Sequence, residues 1–253
     1  MKVLFIGDLY GKPGLDMLND HLTELKSKYR PNVIILNAEN ASYGRGISLK
    51  IYKELMSMGI HMLTMGNWVW GNKELFEFIE GSNIVRPFNF KNAPGKGALT
   101  VNYNGKKLLV INALGRTFMN PNLDDPFTGI DSILENEKAD YVLVDIHAEA
   151  TSEKVALGHY LDGRVSAVVG THTHIPTADE RALPNGTLYI TDVGMTGPLN
   201  GVIGVTKEIV LDRFINGFSI PNEVAPGPKQ LNAVIMDFEK KTIQRIHIES
   251  ETV

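Results

Sequence analysis

The 253 residues are 43% hydrophobic, with 25 Lys and Arg against 29 Asp and Glu, a formal charge of −4. Such a chain has enough apolar content for a large core and reads as one domain over residues 1–253, with no strongly basic face for duplex nucleic acid. It contains no cysteine, so disulfides and thiolate chemistry are excluded and any metal must rest on oxygen and imidazole nitrogen.

The first strand, within MKVLFIGD, is too short to span a membrane and precedes no cleavage pattern; no run of about 18 apolar residues follows. A soluble cytoplasmic protein without a membrane partner is the expectation. Leu15, Leu18, Leu22 and Leu25 recur at helical spacing and predict a helix over 14–29. Strand and helix then alternate through NVIILN, LKIYKELMSMG, HMLTMG and NKELFEFIEG, which predicts an α/β fold. ALTVNY and LLVINAL flank an Asn-Gly turn and predict an antiparallel hairpin. Beyond the loop RTFMNPNLDDPFTG, a helix is expected near 129–138, a strand in YVLVDI, a helix near 151–160 and a strand in VSAVVG. TLYITDVG, a helix near 206–215, and a closing hairpin of LNAVIMDF and TIQRIHIE complete the pattern, with no repeat or linker.

Polar residues follow several of these apolar runs: Asp8, Glu39 with Asn40, Asn67, His147, and His172 with His174. In an α/β sheet the carboxyl ends of the strands open onto one crevice, so these side chains converge there. Carboxylate, amide and imidazole together suit two divalent ions such as Mn, Fe or Zn, and a carboxylate can bridge them; Glu39 is the bridging candidate. Each residue also has a plain structural role open to it. Asp8 alone reads equally as a turn or cap residue. A lone histidine is more often hydrogen-bonded structure, but His172 and His174, two apart in a strand-like segment, point the same way. His21, His61, His159 and His247 have no partner pattern and read as surface or locally satisfied. Glu149 and Glu153 read as caps in preference to groups that orient a ligand. Arg116 is a candidate phosphate contact, and Asp192 a candidate to orient a histidine.

These blocks, GD at 7–8, AEN at 38–40, GNW at 66–68, His147 and GTHTH at 170–174, resemble the calcineurin-like metallophosphoesterases. FIGD, NAEN, TMGN, DDPF, HAEATSEK, VVGTHTH, TAD and TDVGMTGP extend the resemblance over nearly the whole chain to the YmdB-like branch, bacterial cyclic-nucleotide phosphodiesterases. The resemblance implies a four-layer αββα sandwich of two mixed sheets flanked by helices. It implies Asp8, Glu39, Asn40 and His174 on one ion and Glu39, Asn67, His147 and His172 on the other. The implied reaction is hydrolysis of a small phosphodiester, a 2′,3′- or 3′,5′-cyclic nucleotide, by hydroxide formed from a water bridging the two metals. The wider superfamily has a histidine two residues after its first Asp; this chain has Tyr10, and Asn40 completes the site instead.

The family pattern also places a catalytic histidine after Asn67 and an acidic residue three positions further on. This chain has Trp68 and Gly71 there. An indole N–H does not titrate usefully, so Trp68 cannot act as a general acid. In one reading Trp68 stacks on a nucleobase or plugs the cleft, leaving a metal-binding but catalytically impaired regulatory protein that works through nucleotide or protein binding. In the other a hydrolase survives with reduced turnover, and this reading is favoured because the ligand set is otherwise complete. Neither the metal nor the nucleotide is chosen by the residues, and oligomeric state stays open, with isologous self-association its usual form.

Overall fold

In the computed structural model, which describes residues 1–121, 123–217 and 220–250, the first half of the chain alternates strand and helix. Residue 122 of the expected 116–129 loop and residues 251–253 of the expected single domain lie outside the described residues. The first half contains β1 (Lys2–Ile6), β2 (Asp8–Leu9), α1 (Gly11–Tyr29), β3 (Val33–Asn37), α2 (Leu49–Ser57), β4 (Met62–Thr64), α3 (Leu75–Phe78) and β5 (Ile84–Val85). The hairpin β6 (Ala98–Tyr103) and β7 (Lys106–Leu114) follows, then α4 (Pro126–Asn136), β8 (Tyr141–His147), α5 (Thr151–Tyr160) and β9 (Ala167–Thr171). The chain closes with β10 (Arg181–Ala182), β11 (Leu188–Ile190), β12 (Met195–Pro198), α6 (Lys207–Asn216), β13 (Lys229–Asp237) and β14 (Thr242–Glu249).

The strands form two mixed sheets. One runs β2-β12-β13-β1-β3-β4-β5 with β14 on β13, and the other runs β10-β11-β9-β8-β7-β6. Alternation along the strands sorts side chains between layers. Val3, Phe5, Val33 and Ile35 meet Val110, Leu143, Val169 and Ile190 between the sheets. The opposite face of the first sheet, with Leu4, Ile6, Ile34 and Leu36, is covered by Leu18, Leu22 and Leu25 of α1 and Leu55 of α2. On the second sheet Ile111, Val144 and Ile146 pack against Ile130 of α4 and Leu157 of α5. Helix, sheet, sheet and helix therefore stack in four layers, as the resemblance implies. No helix among the described residues is long and apolar enough to cross a membrane.

Local physics explains most differences from the expected elements. Helix α1 begins at Gly11, ahead of the predicted start, because Pro13 falls in the first turn, where a missing N–H is harmless. Helix α4 begins at Pro126 because the Asp125 carboxylate accepts from Phe127 N and Thr128 N as its N-cap. The single helix expected over 72–81 is instead a four-residue α-helix between two short 3-10 turns, Val69–Gly71 and Ile79–Gly81. Side chains compete with the helical backbone there: Asn72 Oδ1 accepts from Glu74 N and Glu74 Oε2 accepts from Leu49 N. Trp70 meanwhile stacks on Phe76 with ring centroids 4.7 Å apart.

Candidate metal centre

The parallel strands β3, β4, β8 and β9 end on one rim, and they deliver the polar residues there. Asp8 starts β2, Glu39 and Asn40 follow β3, Asn67 follows β4, His147 ends β8, and His172 and His174 follow β9. Glu39, His147 and His172 offer donor atoms within 4.8 Å of one another, and so do Asp8, Glu39 and His174. Asn67 Oδ1 lies 3.1 Å from His147 Nε2, and Asn40 Oδ1 lies 3.1 Å from His174 Nε2. All seven side chains thus come together, with Glu39 common to both groups. Their floor is shielded from solvent: Asp8, Glu39, Asn40, His147 and His174 are all buried. Gly66 permits this closeness, since a Cβ there would lie 2.3 Å from His147 Nε2 and 2.4 Å from Glu39 Oε2.

Hydrogen-bond partners on the outer ring nitrogens fix which atoms face inward. His147 Nδ1 is 2.9 Å from Thr171 Oγ1, whose hydroxyl donates to Asp145 Oδ1 at 2.7 Å. The Thr171 oxygen therefore accepts from Nδ1–H, leaving a lone pair on His147 Nε2. His172 Nε2 is 3.1 Å from Glu149 Oε2, which places its proton there and turns the Nδ1 lone pair inward. His174 Nδ1 donates to the Ile203 carbonyl at 2.9 Å, and Asn40 Nδ2 donates to the Gly44 carbonyl at 2.9 Å. Acceptor then faces acceptor. His147 Nε2 lies 3.0 Å from His172 Nδ1 and 3.1 Å from Glu39 Oε1, and His174 Nε2 faces Asn40 Oδ1. Asp8 Oδ1 is buried without any hydrogen-bond partner. Such lone pairs repel unless a cation lies between them, so the donor set fits metal ions on both sides of Glu39.

Electrostatics agree with this picture. Burial pulls His147 down, yet Glu39, Asp8 and Asp145 outweigh it and raise it to about 9. Without a metal ion, a proton there is the positive charge the carboxylates demand. Burial, reinforced by His147, drives His172 down to about 3, and burial also lowers His174, so both present neutral imidazole. Burial raises Asp8 well above the carboxylate range, while Glu39 is held low by His147 against its own burial.

His172 and His174 do not share a direction through strand alternation, contrary to the expectation. β9 stops at Thr171, and both histidines have positive φ, 104° and 67°, which costs non-glycine residues energy unless the surroundings enforce it. Asp8 Oδ2 accepts from His172 N at 3.1 Å and Asp192 Oδ2 accepts from Thr173 N at 3.0 Å. Asp192 in turn pairs with Lys154 Nζ at 2.7 Å, both fully buried. Asp192 thus holds the backbone between the histidines and bonds neither ring. Glu149 pairs with His172, and Glu153 accepts from Arg116 N and Thr117 N, so neither caps α5 as expected. Arg116 turns to Asp125 at 3.4 Å and is absent from the cleft lining. His61 Nδ1 accepts from Ile34 N, and His247 bonds Asn232 and Glu249, in keeping with their assignment as locally satisfied.

Above the centre opens a cleft of about 400 Å³ whose walls include Tyr10, Arg45, Trp68 and Glu149, a volume usual for small-ligand sites. Trp68 N donates to Glu39 Oε2 at 2.9 Å, and the residue, which lines the cleft, is 37% exposed. Tyr10 packs edge-on against His174 at 5.6 Å. The sequence reading assigned no role to Arg45, Lys154, Asp145 or Thr171. Lys154 lies within the HAEATSEK block, and that was its only signal.

Residues 4–250 match the model of the YmdB-like protein family. The 2′,3′-cyclic-nucleotide 2′-phosphodiesterase of Bacillus subtilis (strain 168) is 49% identical, over 98% of this chain and 96% of its own length. A crystal structure of a hypothetical protein from Thermus thermophilus superposes with a TM-score of 0.95 at 45% identity, covering 99% of this chain and 100% of that one. That of a novel phosphatase from Mycoplasma pneumoniae gives 0.92 at 38% identity, covering 99% and 93%.

Proposed function

The chain belongs to the YmdB-like branch of the calcineurin-like metallophosphoesterases, and from that premise we propose that it is a dinuclear-metal phosphodiesterase acting on cyclic nucleotides. The observation that carries this reading is the convergence of donor atoms around Glu39, where the His174 Nε2 lone pair faces Asn40 Oδ1 and Asp8 Oδ1 is buried without a partner. Asp8, Glu39, Asn40 and His174 would hold one ion, and Glu39, Asn67, His147 and His172 the other. Iron, manganese and zinc all suit such mixed oxygen and imidazole donors. When bound, two such ions lower the pKa of a water and neutralise charge on a phosphoryl group.

The chain's own residues prepare that chemistry. Glu149 and the Ile203 carbonyl take the outer protons of His172 and His174, so both rings offer lone pairs inward. Trp68 N–H fixes one oxygen of Glu39 and leaves the other facing His147. Asp145, acting through Thr171, sets the His147 ring. The buried floor keeps bulk water from the donors, while the cleft above admits a mononucleotide-sized anion. A free small-molecule diester in the cytoplasm is the substrate in this reading, and the formal charge of −4 disfavours a polyanion.

The test is hydrolysis of 2′,3′-cyclic AMP, 3′,5′-cyclic AMP and a nitrophenyl phosphodiester by metal-loaded protein, beside Asn67→Ala. Turnover that Asn67→Ala abolishes is expected, with the 2′,3′-cyclic diester preferred as in the Bacillus subtilis relative's name. Silence of the metal-loaded parent on all three substrates would overturn the reading in favour of an impaired, binding-only protein.

A further inference from the structure

The two departures from the family pattern, Trp68 and Gly71, share one neighbour. Arg45 Cζ sits 4.3 Å from the centre of the Trp68 ring. A Cβ on residue 71 would lie 3.1 Å from Arg45 Cβ and 3.2 Å from Gly46 N, so the missing acidic side chain vacates the ground on which the Arg45 turn rests. That turn is tied to the metal centre. Asn40 Nδ2 donates to the Gly44 carbonyl, Gly44 N to the Asn40 carbonyl, and Gly46 N to the Glu39 carbonyl. Among the described residues Arg45 makes no ion pair with a carboxylate, and it is the one side chain of fixed positive charge lining the cleft. Its guanidinium therefore lies against the indole that replaces the histidine, on the wall of the cleft, with donors to spare for an anion.

We propose that Arg45, seated on Trp68, is the cation that meets the departing oxygen of the phosphodiester, in place of the titrating histidine and acid of the family pattern. This rests on the phosphodiesterase reading above and names how that site manages its leaving group. A water oxygen forms the new bond to phosphorus and releases its proton to solvent as the bond from phosphorus to the ribose oxygen breaks. The ribose oxygen keeps the electron pair, is held by the Arg45 charge, and takes its proton from water, since a guanidinium gives none up. Trp68 is a positioning residue for Arg45.

The experiment compares Arg45→Ala, Arg45→Lys, Trp68→Ala and the Arg45→Ala/Trp68→Ala double variant on 2′,3′-cyclic AMP and on a nitrophenyl diester, with metal content measured in each. Arg45→Ala is expected to lower kcat on the cyclic nucleotide by about 10²-fold, and on the nitrophenyl diester, whose leaving group needs little help, by under about 10-fold. Arg45→Lys recovers part of the loss, and the double variant falls no further than Arg45→Ala alone. Equal losses on both substrates, or none, overturn the proposal. A second readout is independent of turnover. In a Trp70→Phe background Trp68 is the sole indole, because the chain has 2 tryptophans, and inorganic phosphate should change its fluorescence at concentrations that Arg45→Ala raises at least about 10-fold. A phosphate response unchanged by Arg45→Ala overturns the proposal even if the parent is active. A silent parent whose phosphate response still depends on Arg45 removes the hydrolase reading and leaves Arg45 as the phosphate contact.

Discussion

Replacing Lys154 with methionine leaves the Asp192 carboxylate fully buried without its 2.7 Å cationic partner. Breaking a buried pair on one side costs about 3–5 kcal/mol, because the remaining charge is neither solvated nor compensated. For a chain of this size that corresponds to a fall in Tm of about 6–20 °C. The damage reaches the metal centre as well. Asp192 accepts from Thr173 N between the two positive-φ histidines and from Gly194 N at 2.8 Å. Gly194 in turn offers its carbonyl to Asp8 N at 3.0 Å. If Asp192 shifts, the enforced backbone at His172 and His174 relaxes, and metal affinity should drop by about 10–100-fold, as when a ligand's supporting contact is lost. Lys154→Met/Asp192→Asn, which removes the stranded charge but keeps an acceptor for one N–H, should recover most of the stability. The assay is thermal unfolding with and without manganese, together with metal content after dialysis. A Lys154→Met protein within about 1 kcal/mol of the parent that retains its metal would refute the reasoning.

The metal-free chain should depend on pH through His147. Its folded pKa of about 9 lies above the unfolded value near 6.5, so its stabilising contribution is full below pH 6.5 and is lost as pH rises through 9. The span is worth up to about 3 kcal/mol. Saturating manganese should remove that slope from Tm measured between pH 6 and 10, since the ion replaces the proton; parallel curves would contradict this. Gly66→Ala should fold yet lose at least one ion, because its Cβ would lie 2.3 Å from His147 Nε2. Elemental analysis after dialysis reads this directly, and unchanged metal content would show that the strand end yields without disturbing the ligands.

The layered fold was legible because apolar runs alternate with helical spacing, and the donor residues were legible because they sit where those runs stop. His172 and His174 both reach the centre, but not by the strand alternation expected of them. Strand periodicity places side chains only while the strand continues, and β9 ends at Thr171. The supporting residues left weaker marks. Lys154 reads as an ordinary polar helix position, and only the fold reveals that its whole side chain lies under Asp192. Asp145 sits two residues before His147 and so shares its direction along β8, yet it reaches the ring only through Thr171 on the neighbouring strand. Arg45 lies in a turn without periodicity, so nothing local links it to Trp68, 23 positions further along the chain. Trp68 itself was visible as a departure, but its partner was not.

The most direct test of the two-metal account is anomalous diffraction from crystals of the protein grown with manganese. The account predicts two peaks on either side of the Glu39 carboxylate, about 3.5–4 Å apart. One peak should be ligated by Asp8, Asn40 and His174, and the other by Asn67, His147 and His172. A single peak, or ions bound only away from Glu39, would contradict it.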